Sequence, residues 1–144
     1  MGSWMAIRER EDVFVDTGAW IALALKGDPY HSRAIELWDA IRCEGARLHT
    51  SIPIVLETFT FLERNTDRSV ALSWKDNLDK LRGLELLECT RQDFERAWPY
   101  FLRPNLHKLS AVDATSFAIM TRKKIRVAFA FDHHFAAVGF RLVG

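Results

Sequence analysis

Val13, Phe14 and Val15 form an apolar run that ends directly in a carboxylate, Asp16. A run with no polar alternation reads as a strand covered on both faces, the condition of a parallel sheet. Thr17 and Gly18 follow, then a helix-like apolar stretch over residues 19–25. An acid at the carboxyl end of such a strand stands on the rim where open α/β sheets place their ligands. Three other carboxylates are expected at that rim: Glu57, Asp113 and Asp132.

The rest of the chain alternates helices with short strands. Gly27, Asp28 and Pro29 stop the first helix. A second begins near His31, with Ala34, Ile35, Trp38 and Ile41 on one face and Gly45 at its end. Arg47, Leu48, His49 and Thr50 give a weak strand signal between turn residues. Ser51 caps a third helix with Pro53 in its first turn, and Ile54, Glu57 and Phe61 share its inner face. A helix over residues 67–82 turns Val70, Trp74, Leu78 and Leu81 inward, and residues 84–87 form another strand. Thr90 and Asp93 suit a capping box before a helix carrying Phe94, Ala97, Trp98 and Phe101. Ser110 opens a helix that contains Asp113 and ends in Arg122, Lys123, Lys124 and Arg126. Residues 127–131 are a buried strand ended by Asp132; a short helix and a strand over residues 140–143 close the chain. This order predicts an α/β domain with a mostly parallel sheet.

The 144 residues fit one domain, assigned to residues 5–144, with residues 1–4 read as a cloning scar or disordered start. A formal net charge of +1 means that any nucleic-acid binding must use a local basic patch. Cys43 and Cys89 lack ligand spacing and read as reduced core thiols of a cytoplasmic protein. No secretory signal or membrane-spanning run is expected.

Each acid has a structural explanation to be weighed. Asp16 and Asp132 suit helix N-caps, and Asp113 stands where it would close a capping box with Ser110. Glu57, in a second turn, has no cap role, and an inward carboxylate is costly without a cation or donor. Four anions at one rim repel one another, and one or two divalent cations are the simplest compensation. Oxygen donors without His or Cys point to magnesium or manganese, the chemistry of phosphodiester hydrolysis.

With these residues in order, the chain resembles the PIN-domain ribonucleases of the VapC toxin group. The matching segments are Val13-Phe14-Val15-Asp16-Thr17-Gly18-Ala19-Trp20, Pro53-Ile54-Val55-Leu56-Glu57-Thr58, Leu109-Ser110-Ala111-Val112-Asp113-Ala114 and Ala130-Phe131-Asp132-His133-His134-Phe135, with a closing Gly139-Phe140-Arg141-Leu142. The resemblance implies a three-layer α/β/α sandwich around a parallel sheet. It implies that Asp16, Glu57, Asp113 and Asp132 are the acidic metal-site residues of catalysis. The implied activity is a magnesium- or manganese-dependent endoribonuclease, in which water attacks an RNA phosphodiester to leave 5′-phosphate and 3′-hydroxyl ends. A cognate antitoxin and a homodimer are the implied partners. His134 departs from the pattern, since some relatives carry a further acid there.

Supporting roles are expected of Thr17 and Ser110, as metal-water contact or helix cap. Arg64, Arg68, Arg122, Lys123 and Lys124 are candidate RNA phosphate contacts, though cations ending a helix also suit its dipole. His133 and His134 read as exposed residues beside the site. A catalytically silent RNA- or protein-binding PIN module is the alternative; it has no reason to keep four mutually repelling acids. A phosphoacceptor domain built on Asp16 fits less well. A receiver needs an acidic pair before its first helix, and an aspartyl phosphatase needs an Asp where this chain has Gly18.

Overall fold

The structure, a computed structural model, describes residues 10–144. The expected start at Met5 and the assignment of residues 1–4 lie outside the described residues. Five strands form one parallel sheet: β1 (Asp12–Val15), β2 (Arg47–Ser51), β3 (Leu84–Leu87), β4 (Val127–Phe129) and β5 (Arg141–Leu142). Their order across the sheet is β3-β2-β1-β4-β5. The chain therefore builds outward from β1 to one edge, then crosses back and builds to the other. The reversal falls between β1 and β4, the switch point at which open α/β sheets leave a crevice. Asp16 follows β1 and Asp132 lies just beyond β4, so topology alone brings them together.

Seven α-helices connect the strands: α1 (Thr17–Ala24), α2 (His31–Cys43), α3 (Ile52–Asn65), α4 (Arg68–Asp79), α5 (Arg91–Ala97), α6 (Ala111–Lys123) and α7 (His134–Ala137); a 3₁₀ turn, Trp98–Leu102, extends α5. Val13, Phe14 and Val15 are each 0% exposed, so β1 is covered on both faces as the unbroken apolar run required. Phe117, Phe129 and Phe135 are also fully buried, and burial of each such side chain contributes about 1.5–3 kcal/mol. Among the described residues, no helix is long and apolar enough to cross a membrane.

Several caps are as the sequence predicts. Ser51 accepts from the Ile54 N–H, and Asp67 adds a cap not anticipated from the sequence, accepting from the Val70 N–H. Thr90 and Asp93 form the complete capping box. Gly45, at φ +66°, ends α2 in a Schellman arrangement, its N–H on the Arg42 carbonyl and that of Ala46 on the Ile41 carbonyl.

The inner faces of the helices need correction. On α2, Leu37 is core and Ile35 is exposed. On α3, Ile54, Val55, Thr58 and Leu62 point inward, whereas Phe61 is exposed and Glu57 half-buried. On α4, Ala71 and Leu78 are buried, and Val70 and Trp74 only half-buried; the helix ends at Asp79, so Leu81, also half-buried, lies beyond it. Asp93 and Ala97 form the buried side of α5, leaving Phe94, Trp98, Phe101 and Leu102 exposed. In each case the apolar positions cover a wider arc than the core needs. The thiols are free as expected, but Cys43 is exposed and Cys89 half-buried, so neither is a core thiol.

Candidate metal centre

Asp16 is held at the rim from below. Its own N–H donates to the Phe129 carbonyl at 3.0 Å, which ties the end of β1 to β4. A second tie runs from Trp20 Nε1 to Thr50 Oγ1 at 3.1 Å, and from Thr50 Oγ1 to the Val15 carbonyl at 2.9 Å. These bonds fix α1 against β2 one residue before Asp16. The Asp16 carboxylate is 4% exposed and makes no side-chain cap bond to α1, and its Oδ1 is buried without a partner. The N-cap explanation therefore does not account for this side chain.

Glu57 reaches the rim from the second turn of α3. The Thr17 hydroxyl donates to Glu57 Oε1 at 2.5 Å, so Thr17 orients a carboxylate rather than capping its helix. Asp113 reaches it from the first turn of α6. Ser110 Oγ accepts the Asp113 N–H at 3.0 Å, which caps the helix through the Asp113 backbone. The Asp113 side chain is turned to Asp132 instead of closing a capping box. Asp132 Oδ1 accepts the His134 N–H at 2.9 Å, so this acid does anchor the start of α7 while its carboxylate faces the others.

The electrostatics are those of crowded anions. Burial, then repulsion from Glu57 and Asp132, pushes Asp16 up to about 7, against the opposing Thr17 and Gly18 backbone N–H groups. Burial and the charges of Asp16, Asp132 and Glu57 push Asp113 up to about 9. Burial acts upward on Asp132 as well, but the His134 N–H, the Asp113 carboxyl and the His134 ring hold it below the usual carboxylate range. The pattern is one proton-rich acid hydrogen-bonded to one ionised acid, the usual outcome when carboxylates share a site without a cation.

The secondary candidates divide. Arg64 is exposed and lines a groove beside Glu57 with Leu56, Phe61 and Val112. Arg68 is exposed and paired with Glu63 at 2.6 Å. Arg122 is not available as a phosphate contact: its guanidinium binds the fully buried Asp93 at 2.9 Å and the Glu88 carbonyl at 3.2 Å. Lys123 and Lys124 stand at the far end of α6 from Asp113, about 15 Å along the helix. The structure does not bring this basic tract to the acids. His133 is exposed as expected, but His134 is not; its ring is 6% exposed and lies against Asp132. The only signal for it in the sequence is its place two residues after Asp132, because the other contact of the ring comes from His107, 27 residues away.

A buried parallel sheet carries a carboxylate cluster at its switch point, an arrangement whose charge a divalent cation would offset. Residues 13–141 match the PIN domain family, and the chain belongs to that family. The 23S rRNA-specific endonuclease VapC20 of Mycobacterium tuberculosis is 36% identical over 129 residues, 89% of this chain and 95% of its own length. The crystal structure of that protein, described as a sarcin-ricin loop cleaving toxin, superposes with a TM-score of 0.79 at 34% identity, again over 89% and 95% of the two chains. VapBC2 from Rickettsia felis, bound to a DNA fragment from its promoter, shares the fold at a TM-score of 0.66 and 11% identity, over 91% of this chain and 96% of the matched one.

Proposed function

We propose that the chain is a magnesium- or manganese-dependent endoribonuclease and the toxin of a toxin–antitoxin pair. The observation that carries this reading is the Asp16 carboxylate, buried among three other acids with one oxygen lacking any partner. Burying a carboxylate among other anions is costly, and a divalent cation would offset that cost. Asp16, Asp113 and Asp132, with Glu57 at the rim, would hold the ion; their oxygen donors suit a hard divalent metal. When bound, the ion supplies charge stabilisation for the phosphodiester and lowers the pKa of the attacking water.

The chain's own groups do the positioning. The Thr17 hydroxyl holds Glu57 toward the rim, where its other carboxylate oxygen can take a proton from water. The capped first turn of α6 holds Asp113 in register with Asp132. Arg64 offers charge to the RNA backbone beside the site. Hydrolysis leaves 5′-phosphate and 3′-hydroxyl ends.

The 36% identity with a 23S rRNA-specific endonuclease supports ribosomal RNA as the substrate class, and the description of that relative as a toxin supports a cognate antitoxin. Self-association is supported by the exposed aromatic patch, in which the Phe94 and Trp98 rings stand 5.4 Å apart and those of Trp98 and Phe101 5.9 Å apart. The test is induced expression in a bacterial host, with the 23S rRNA mapped by primer extension. Growth arrest with a discrete rRNA cut, both absent in Asp16→Asn, is the expected result. Unimpaired growth with intact RNA would overturn the reading.

A further inference from the structure

The His134 ring lies over the carboxylate cluster with its two nitrogens in different settings. Nε2 stands 2.7 Å from the His107 carbonyl oxygen. A carbonyl only accepts, so Nε2 carries the hydrogen and donates it. In the neutral ring Nδ1 then has a lone pair. That atom is buried, forms no well-oriented hydrogen bond, and lies 2.7 Å from Asp132 Oδ1. Two lone pairs at that distance repel unless something positive lies between them.

We infer that His134 Nδ1 is a ligand of the divalent metal, completing with Asp113 and Asp132 a mixed nitrogen–oxygen site. This rests on the metal-nuclease reading and deepens it. Three observations carry it. The ligand atoms of Asp113, Asp132 and His134 all lie within 4.8 Å of one another. Neighbouring ligands of an octahedral ion with bonds of about 2.1 Å are separated by about 3 Å, close to the spacing of Nδ1 and Asp132 Oδ1. A metal-bound histidine almost always gives its other N–H to a carbonyl or carboxylate, and the Nε2 bond to His107 is that contact. A nitrogen donor also biases an otherwise all-oxygen site away from magnesium and toward manganese.

Pulsed electron paramagnetic resonance of the full chain loaded with Mn²⁺ alone tests this. The expected spectrum contains ¹⁴N couplings from a directly bound imidazole, replaced by ¹⁵N couplings when the histidines are ¹⁵N-labelled. The chain has five histidines, so His107→Ala/His133→Ala is run beside wild type and should keep the coupling. His134→Gln keeps an amide N–H for the His107 carbonyl and deletes Nδ1; it should lose the coupling and bind Mn²⁺ about tenfold or more weakly, with a smaller loss for Mg²⁺. Should that variant fail to fold, the labelled wild type and the double variant still decide. Bound Mn²⁺ with no nitrogen coupling in wild type would overturn the inference and make His134 a charged partner of Asp132, leaving the nuclease reading standing. Absence of Mn²⁺ binding altogether would overturn both.

Discussion

Asp113 stands where a capping reading and a cluster reading predict opposite effects of one substitution. Ser110 caps α6 through the Asp113 backbone N–H, so the side chain is not needed for the cap. Its carboxylate instead faces Asp132 under the charges of Asp16 and Glu57. Asp113→Asn should therefore raise the metal-free melting temperature, weaken stabilisation by added manganese and abolish RNA cleavage. A capping role would lower the melting temperature by the equivalent of about 1 kcal/mol and spare cleavage. Melts with and without manganese, beside a cleavage assay, separate the two. A pH dependence follows from the same crowding. Burial and the neighbouring carboxylates push Asp16 up to about 7 and Asp113 up to about 9 in the folded chain, against about 4 unfolded. The folded state thus holds protons that the unfolded state has released. The stability from those protons is complete below about pH 4 and is lost as pH rises through the folded values. Metal-free protein should melt lower at pH 9 than at about pH 5, and Asp113→Asn should flatten that slope. A melting temperature that rises over this window would refute the crowded-anion account.

At the scale of elements, α5 and α6 are joined by the ion pair of Arg122 with Asp93. Asp93 is 0% exposed and also serves the capping box of α5, so removal of the guanidinium strands a buried charge. Arg122→Ala should destabilise the fold by about 3 kcal/mol, the low end for breaking a buried pair because Arg122 is partly exposed, with cleavage per folded molecule unchanged. Denaturant titration and an activity assay normalised to folded protein check this. Arg64→Ala should do the reverse, leaving stability alone while weakening RNA binding and reducing its salt dependence by about one phosphate contact. A salt series of RNA affinities reads that slope. The contrast marks where sequence stopped being informative. β1, β3 and β4 were legible as apolar runs, β2 only as a weak signal between turn residues, and the caps at Ser51, Thr90 and Ser110 as short polar signals, because all of these depend on neighbours in the chain. Arg122 looked like part of a basic tract because its partner lies 29 residues away. Phe61, Phe94, Trp98 and Phe101 fell at helical spacing, but spacing cannot separate a core face from an exposed apolar one. The position of Glu57 was legible; its bond to Thr17, across 40 residues, was not.

For the whole molecule, the order β3-β2-β1-β4-β5 is what turns four acids scattered over more than a hundred residues into one site. β1 and β4 are neighbours across the switch point, and α3 and α6 bring in Glu57 and Asp113 from their first two turns. The cost is a rim of mutually repelling carboxylates, held in place by a core in which Phe14, Phe117, Phe129 and Phe135 are fully buried. Functional sites commonly take such a toll on stability. The central claim is that these acids exist to bind a divalent ion that RNA cleavage requires. The most direct measurement is cleavage of end-labelled 23S rRNA by purified protein in excess EDTA, followed by addition of manganese beyond the chelator. The account predicts no cleavage under EDTA, recovery with manganese, and no recovery in Asp16→Asn. Full cleavage in excess EDTA would contradict it.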